Sequence, residues 1–96
     1  MSHFEGKDIN TTFITAYELY QSGDKKGAIA LSEEIYEGAM KYYGPIHGQV
    51  VNALENLIVY CEGAGEKEKA EKYRKTAYEK SCQAFGPDDV RTKKFR

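Results

Sequence analysis

Two stretches of this chain decide its fold. Residues 23–48 read GDKKGAIALSEEIYEGAMKYYGPIHG, and residues 65–90 read GEKEKAEKYRKTAYEKSCQAFGPDDV. At a shift of 42 residues these identities align: Gly23 with Gly65, Ala28 with Ala70, Tyr36-Glu37 with Tyr78-Glu79, and Gly44-Pro45 with Gly86-Pro87. Self-similarity at a fixed period of this size is the sequence signature of a repeat architecture.

Glycine and proline divide the chain into helical segments, which we predict at about 8–22, 25–43, 47–62 and 66–85. Glycine can close a helix in the left-handed conformation, and a following proline prevents its continuation. Asp24 is predicted to cap the second helix, and Asp88 or Asp89 a short final one. No alternating run of β-branched residues competes with this pattern. The chain is therefore predicted to be all-α.

Apolar residues recur at helical spacing in three of these segments. The predicted core positions are Ala28, Leu31, Ile35, Ala39 and Tyr42 in the second helix, Val50, Leu54, Leu57, Ile58 and Cys61 in the third, and Ala70, Tyr73, Ala77, Ser81 and Ala84 in the fourth. Short connections make successive helices antiparallel. We expect one domain over residues 1–96: two stacked antiparallel helical hairpins, with repeat one at about 9–45 and repeat two at about 51–87, plus a short C-terminal helix at 88–96.

The second repeat carries a recognisable set of motifs. They are Leu54-Glu55-Asn56-Leu57-Ile58, Gly65-Glu66, Ala70-Glu71, Ala77 and Phe85-Gly86-Pro87-Asp88-Asp89-Val90. This set resembles the tetratricopeptide repeat in the 42-residue form found in kinesin light chains. The resemblance covers roughly residues 9 to 92 and is weaker in the first repeat. Glu55 stands where the family has an Asn, and Gly44-Pro45-Ile46-His47 lacks the acidic helix start of the second repeat.

The resemblance implies a non-catalytic protein–protein interaction module. Its ligand, a peptide or a partner's helix, would lie on the concave face formed by the first and third helices. Carrying the family's groove positions over gives Asn10, Phe13, Tyr17, Tyr20, Gln21, Asn52, Glu55, Val59 and Glu62 as the partner-binding residues. This set lacks the Lys and Arg that hold a peptide's C-terminal carboxylate in chaperone-binding relatives, so we expect a ligand with apolar anchors and basic residues. The alternative function is a small structural subunit of a larger multiprotein complex.

The first helix offers two incompatible apolar stripes. In phase with the third helix, its core would be Asp8, Thr12, Thr15, Ala16 and Leu19, whereas its stronger stripe is Ile9, Phe13, Ala16, Tyr17 and Tyr20. A shift of one residue turns a stripe by about 100° around a helix. The aromatic rings either pack in the core through a local register slip or line the concave face, where large rings with a polar tip suit a ligand.

Composition and length argue against several classes of protein. The chain has 96 residues, a net charge of −1 and no long apolar run, so neither a nucleic-acid binder nor a membrane span is expected. No secretory signal is visible at the N-terminus, which predicts a cytoplasmic protein. Cys61 and Cys82, without a Cys-x-x-Cys spacing, are expected to be reduced thiols.

No catalytic motif is evident. His3 and His47 have no obvious partner in the sequence, and both cysteines fall on apolar helix faces. Metal-binding, phosphate-binding and nucleophile-elbow motifs are missing from the sequence. We therefore expect no enzyme, no metal, no cofactor and no small-molecule substrate.

Charge is distributed unevenly along the chain. Residues 1–63 contain nine acidic and four basic side chains, and residues 64–96 contain six acidic and ten basic ones. Opposite charge on the two ends of a stack favours head-to-tail self-association, unless a larger partner covers an end. The basic tail, with Arg91, Lys93, Lys94 and Arg96, either contacts an acidic partner or complements a helix dipole.

Overall fold

The computed structural model describes residues 9–96, and this part of the chain is helical with no β-strand. The helices are α1 (Ile9–Gln21), α2 (Lys25–Tyr43), α3 (Gly48–Gly63), α4 (Lys67–Phe85) and α5 (Val90–Lys93). The predicted all-α class is thus confirmed for the described residues, and the four main helices end within one residue of their predicted ends. Asp8, the predicted start of the first helix, and His3 lie outside the described residues. Within the described range, no helix combines the length and the apolar character needed to cross a bilayer.

A glycine with positive φ follows each of the four long helices. Gly23, Gly44, Gly65 and Gly86 have φ of 99°, 97°, 79° and 94°, and they recur every 21 residues. Gly44, at φ 97° and ψ 160°, occupies a region that only glycine enters readily. A Cβ there would meet no atom within 4 Å, so the requirement for glycine is conformational. The regular spacing of the glycines places a helix end about every 21 residues.

Side chains cap most of the helix starts. The Asp24 carboxylate accepts a hydrogen bond from the Gly27 N–H at 2.9 Å, as predicted for α2. At α3 the Nδ1 atom of His47 accepts from the Gln49 N–H at 3.0 Å, and its ring stacks on Tyr43. Asp89, not Asp88, caps α5, accepting from the Arg91 N–H at 2.8 Å. These caps satisfy donors that the helix itself leaves unpaired.

Consecutive helices contact one another along the chain. In addition, α1 lies beside α3, because the rings of Tyr20 and Tyr60 approach to 4.8 Å between centroids. α2 lies beside α4, because the Tyr73 hydroxyl donates a hydrogen bond to Glu33 at 2.6 Å. One hydrophobic core contains residues from all four long helices.

The core follows the predicted stripes with one clear exception. Ile35, Val50, Leu54, Leu57, Cys61, Ala77 and Ser81 are all fully buried, as their periodicity predicts. The prediction that Tyr42 lies in the core is wrong, because its side chain is 60% exposed. In the last turn of α2 the contact with the core is made instead by Met40 and Tyr43. Tyr42 lies edge-on against Tyr43 and faces outward.

Neither stripe predicted for α1 is reproduced. Ile9, Thr12 and Ala16 are buried, while Thr15 and Tyr17 are exposed. Phe13, Leu19 and Tyr20 are half-buried and pack against the core. α1 contacts both α2 and α3, so its buried face is broad and combines residues from the two stripes. No described helix covers the side that carries Thr15.

α5 repeats the start of α3. Its cap Asp89 lies 42 residues after His47, the cap of α3, and Thr92 is as fully buried as Val50. The Thr92 hydroxyl donates to the Gly86 carbonyl at 2.8 Å. Phe95, just beyond α5, is buried in the core, and its carbonyl accepts a hydrogen bond from Arg74. The C-terminal segment is thus anchored against α4.

Candidate functional site: an exposed face on α1 and α3

The nine predicted partner-binding residues divide into two groups. Exposed on the surface are Asn10, Tyr17, Gln21, Asn52, Val59 and Glu62, and half-buried are Phe13, Tyr20 and Glu55. Six of the nine are thus accessible on the two helices, α1 and α3, that lie side by side. The half-buried residues make contacts within the chain, and these contacts limit their access to a ligand.

Two apolar side chains stand out on this face. Tyr17 of α1 and Val59 of α3 occupy equivalent positions, 42 residues apart, and are 55% and 49% exposed. Ile14, one turn before Tyr17, is 59% exposed and was missed by the sequence analysis. Its spacing of three residues from Tyr17 is the signal that could have found it. We call Ile14, Tyr17 and Val59 the apolar face.

The half-buried Tyr20 packs beside the apolar face. Its ring packs on Tyr60, which is buried, and the Lys25 ammonium lies 5.9 Å from its centroid. Lys25 also donates to the Gly63 carbonyl at 3.0 Å and so ties the start of α2 to the end of α3. Burial, with the nearby phenols of Tyr17 and Tyr20, raises the pKa of Tyr60. Tyr17 therefore stands at the exposed edge of a cluster of three phenols.

Glu55 already has a partner within the chain. Lys94, in the segment after α5, places its ammonium 2.5 Å from the Glu55 carboxylate. This ion pair bridges the C-terminal segment to α3 and neutralises Glu55. Glu62 consequently remains the exposed carboxylate among the nine predicted positions.

A concave surface lies between α1 and α2. It is a groove of about 840 Å³, lined by Thr11, Thr12, Thr15 and Leu19 of α1 and Gly27, Ala30, Leu31 and Glu34 of α2. Its walls are methyl-bearing side chains with one carboxylate. Thr12, Thr15 and Leu19 belong to the stripe that would form the core if α1 were in phase with the third helix. We call it the α1–α2 groove.

A polar network joins α2 to α4 on another side of the molecule. Glu33 accepts from the Tyr73 hydroxyl at 2.6 Å and pairs with the Lys69 ammonium at 2.9 Å. Burial alone raises the pKa of Glu33, but the hydrogen bonds from Tyr73 and Lys69, with the Lys69 charge, lower it. Burial and the bond to Glu33 raise the pKa of Tyr73 well above its usual value. The network holds the carboxylate ionised and the phenol protonated, which joins the two helices.

The described side chains considered for catalysis either cap a helix or are at least partly buried. The Nδ1 atom of His47 is engaged as a helix cap. Cys61 is fully buried, and burial raises the pKa of its thiol, which disfavours the reactive thiolate. Cys82 is half-buried. Across residues 9–96 no group of three His, Cys, Asp or Glu side chains is arranged to hold a metal ion.

Comparison with known proteins does not assign the chain to a family: no protein-family model matches it, and no curated protein matches it.

Proposed function

We propose that this chain is a non-catalytic interaction module that binds an extended peptide or a partner's helix on the face of α1 and α3. The observation that carries the proposal is the exposure of Tyr17 and Val59, two apolar side chains at equivalent positions of adjacent helices. Apolar side chains grouped on one exposed face are typical of binding surfaces. Tyrosine offers a large contact area at a small cost in conformational entropy.

The proposed architecture is that of two antiparallel hairpins stacked in the same direction, as in tetratricopeptide repeats. Three features support it: the glycines that end helices every 21 residues, the lateral contacts of α1 with α3 and of α2 with α4, and the way α5 repeats the start of α3. In such a stack α1 and α3 form one layer, which is the layer that binds ligands in the family the sequence resembles.

The chemistry of the face defines the ligand. Tyr17 and Val59 would contact apolar side chains, and the exposed carboxylate of Glu62 would attract a basic one. The neutralisation of Glu55 by Lys94 reduces the acidic character expected from the sequence. A ligand with two apolar anchors and a single Lys or Arg therefore fits better than a strongly basic one.

The experiment is selection of peptides from a displayed random library on the wild-type protein, followed by affinity measurements. Tyr17→Ser combined with Val59→Ser should weaken the selected peptides by at least about tenfold, or ~1.4 kcal/mol. A matched control is available in Tyr42→Ser combined with Ile46→Ser. Tyr42 and Ile46 are 60% and 40% exposed but lie at the end of α2 and in the turn that follows.

Binding that survives the face variant and fails in the control would contradict the proposal, as would a library with no enriched peptide. Circular dichroism of both double variants should match the wild type, because all four side chains are exposed. Tyr20 is unsuitable for this test, since its ring packs on Tyr60 and its loss would disturb the core.

A second candidate, a small structural subunit of a larger assembly, is favoured by the α1–α2 groove. Within residues 9–96 no helix covers this concave surface, which is distinct from the apolar face.

A further inference from the structure

The geometry points to a second interaction surface with a definite occupant: the α1–α2 groove receives α5 of a second copy of this chain. This contact is head-to-tail, joining the α1–α2 end of one molecule to the C-terminal end of the next. It does not rest on the proposed function, because it uses neither Tyr17 nor Val59.

The internal repeat shows that the groove lies at positions which the chain covers elsewhere. Thr11 and Thr15 are exposed in the groove, whereas Ala53 and Leu57, 42 residues later in α3, are completely buried. α3 reaches this burial because α2 packs against it on one side and α4 on the other. α1 has α2 and α3 as neighbours, and its Thr11–Thr15 side has no described helix against it. The groove is thus the position where a preceding helix would pack.

The lining of the groove favours a small apolar side chain beside a cation. Leu19, Ala30 and Leu31 supply apolar contacts, the threonines supply methyl groups, and Glu34 supplies the one charge. The part of the chain that contains the groove, residues 1–63, has nine acidic and four basic side chains. A basic segment with an apolar residue at its surface therefore complements the groove in both charge and polarity.

α5 has these properties. Val90 is 77% exposed, a larger fraction than any other large hydrophobic side chain within residues 9–96. Lys93 follows at three residues, on the same side of this helical turn as Val90, while Lys94 pairs with Glu55. Thr92 and Phe95 face the opposite way and are buried, so the C-terminal segment is held in place while Val90 points outward. The part of the chain that contains α5, residues 64–96, has ten basic and six acidic side chains.

In the contact, Val90 enters the groove against Leu31, and Lys93 approaches Glu34. The two surfaces differ, so the contact is heterologous, and each molecule keeps one end open for the next copy. Burial of Val90 would supply affinity, while the charges would set orientation and the rate of encounter. The product is a ring or an open array of copies.

The test is sedimentation velocity of the wild-type protein over a wide concentration range, at low and at high salt. Mass should rise with concentration at low salt and fall when salt screens the charges. Val90→Asp removes the apolar contact and places a carboxylate opposite Glu34. Thr15→Arg fills the groove and repels the basic segment. Both positions are exposed, so neither change disturbs the core. Each variant alone should self-associate at least about tenfold more weakly than the wild type.

Mixing the two variants provides the decisive measurement. Val90→Asp keeps an intact groove and Thr15→Arg keeps an intact α5, so an equimolar mixture should associate more strongly than either variant alone, through the one unaltered contact. Ile46→Asp changes an exposed apolar residue outside both surfaces and should associate like the wild type. A wild-type protein that stays monomeric at all concentrations and both salts overturns the inference. So does a mixture that stays monomeric, or variants that associate as strongly as the wild type.

Discussion

The Tyr20 hydroxyl occupies the space that a side chain at Gly63 would need. A Cβ at residue 63 would lie 1.8 Å from the Tyr20 hydroxyl oxygen and 2.8 Å from the ring carbon that bears it. Gly63, the last residue of α3, therefore lets α1 and α3 approach closely at one end. The contact also fixes the Tyr20 ring against Tyr60, at the edge of the proposed binding face.

We expect Gly63→Ala to lower the free energy of unfolding by about 1–3 kcal/mol, because the Tyr20 ring must leave its place on Tyr60. The intrinsic effect has the opposite sign, since alanine is favoured over glycine in a helix by about 1 kcal/mol. Urea unfolding of four proteins measures this: wild type, Gly63→Ala, Tyr20→Ala and the double variant. In the Tyr20→Ala background, Gly63→Ala should become neutral or stabilising.

The control is Gly48→Ala, at the first residue of α3. A Cβ there would meet only the Phe85 ring, at an ordinary 3.7 Å. It should leave stability unchanged or slightly raised. Equal destabilisation by Gly63→Ala with and without Tyr20 would show that the two residues do not compete for the same space.

Tyr73→Phe removes the hydroxyl that donates to Glu33 across α2 and α4. The expected loss is about 1 kcal/mol, typical of one hydrogen bond to a charged group near the surface. Thermal or urea unfolding measures it, with Tyr78→Phe as control. Tyr78 is also a half-buried tyrosine of α4, but its hydroxyl makes no hydrogen bond within the described residues, so its loss should change stability little. Similar losses in both variants would mean that the bond to Glu33 contributes nothing measurable.

The helix ends could be predicted from the sequence because their causes are local. Positive φ at Gly44 and Gly86 and the prolines that follow act within a few residues, as does the Asp24 cap. Periodicity likewise predicted the buried faces of α3 and α4, because each of these helices packs against two neighbouring helices.

The features that could not be predicted from the sequence depend on which helix surfaces pack against each other. Tyr42 fits the helical period of α2, but Met40 and Tyr43 face the core in that turn instead. α1 has a broad buried face because it touches two helices. The pairing of Glu55 with Lys94 joins residues 39 positions apart and depends on where α5 docks. The α1–α2 groove combines residues of two predicted stripes, among them Leu19 and Leu31, and their periodicity does not tell that this surface lies open.

The Asp89 carboxylate should titrate well below an ordinary aspartate. Hydrogen bonds from the Arg91 side chain and from the Arg91 backbone N–H lower its pKa to about 2. Since the folded-state pKa is depressed, the stabilisation is complete above the unfolded pKa of about 3.9 and is lost as the pH falls toward 2. Carboxyl-carbon NMR shifts across this range measure the midpoint. Asp89→Asn should flatten the pH dependence of stability between about pH 4 and 2. A midpoint near 3.9 would show that the contacts with Arg91 are not maintained in solution.

Buried hydroxyl groups in this core fall into two kinds, and they should respond oppositely to removal. Ser32 and Ser81 are fully buried, and their hydroxyl oxygens meet no hydrogen-bond partner among the described residues. Thr92 is equally buried, but its hydroxyl donates to the Gly86 carbonyl at 2.8 Å. An unpaired buried hydroxyl costs about 1–3 kcal/mol of desolvation, whereas a paired one contributes about 1 kcal/mol.

Ser32→Ala and Ser81→Ala should therefore raise the free energy of unfolding by about 0.5–2 kcal/mol each, helped by the higher helix propensity of alanine. Thr92→Val, which keeps the shape of the side chain, should lower it by about 1 kcal/mol. Urea unfolding of the three variants provides the comparison, with equal m-values confirming that the folded and unfolded states are otherwise alike. Destabilisation by either serine variant would mean that its hydroxyl is paired in solution. Because the serine changes remove a single oxygen atom from a close-packed interior, their sign reports directly on whether that oxygen is satisfied.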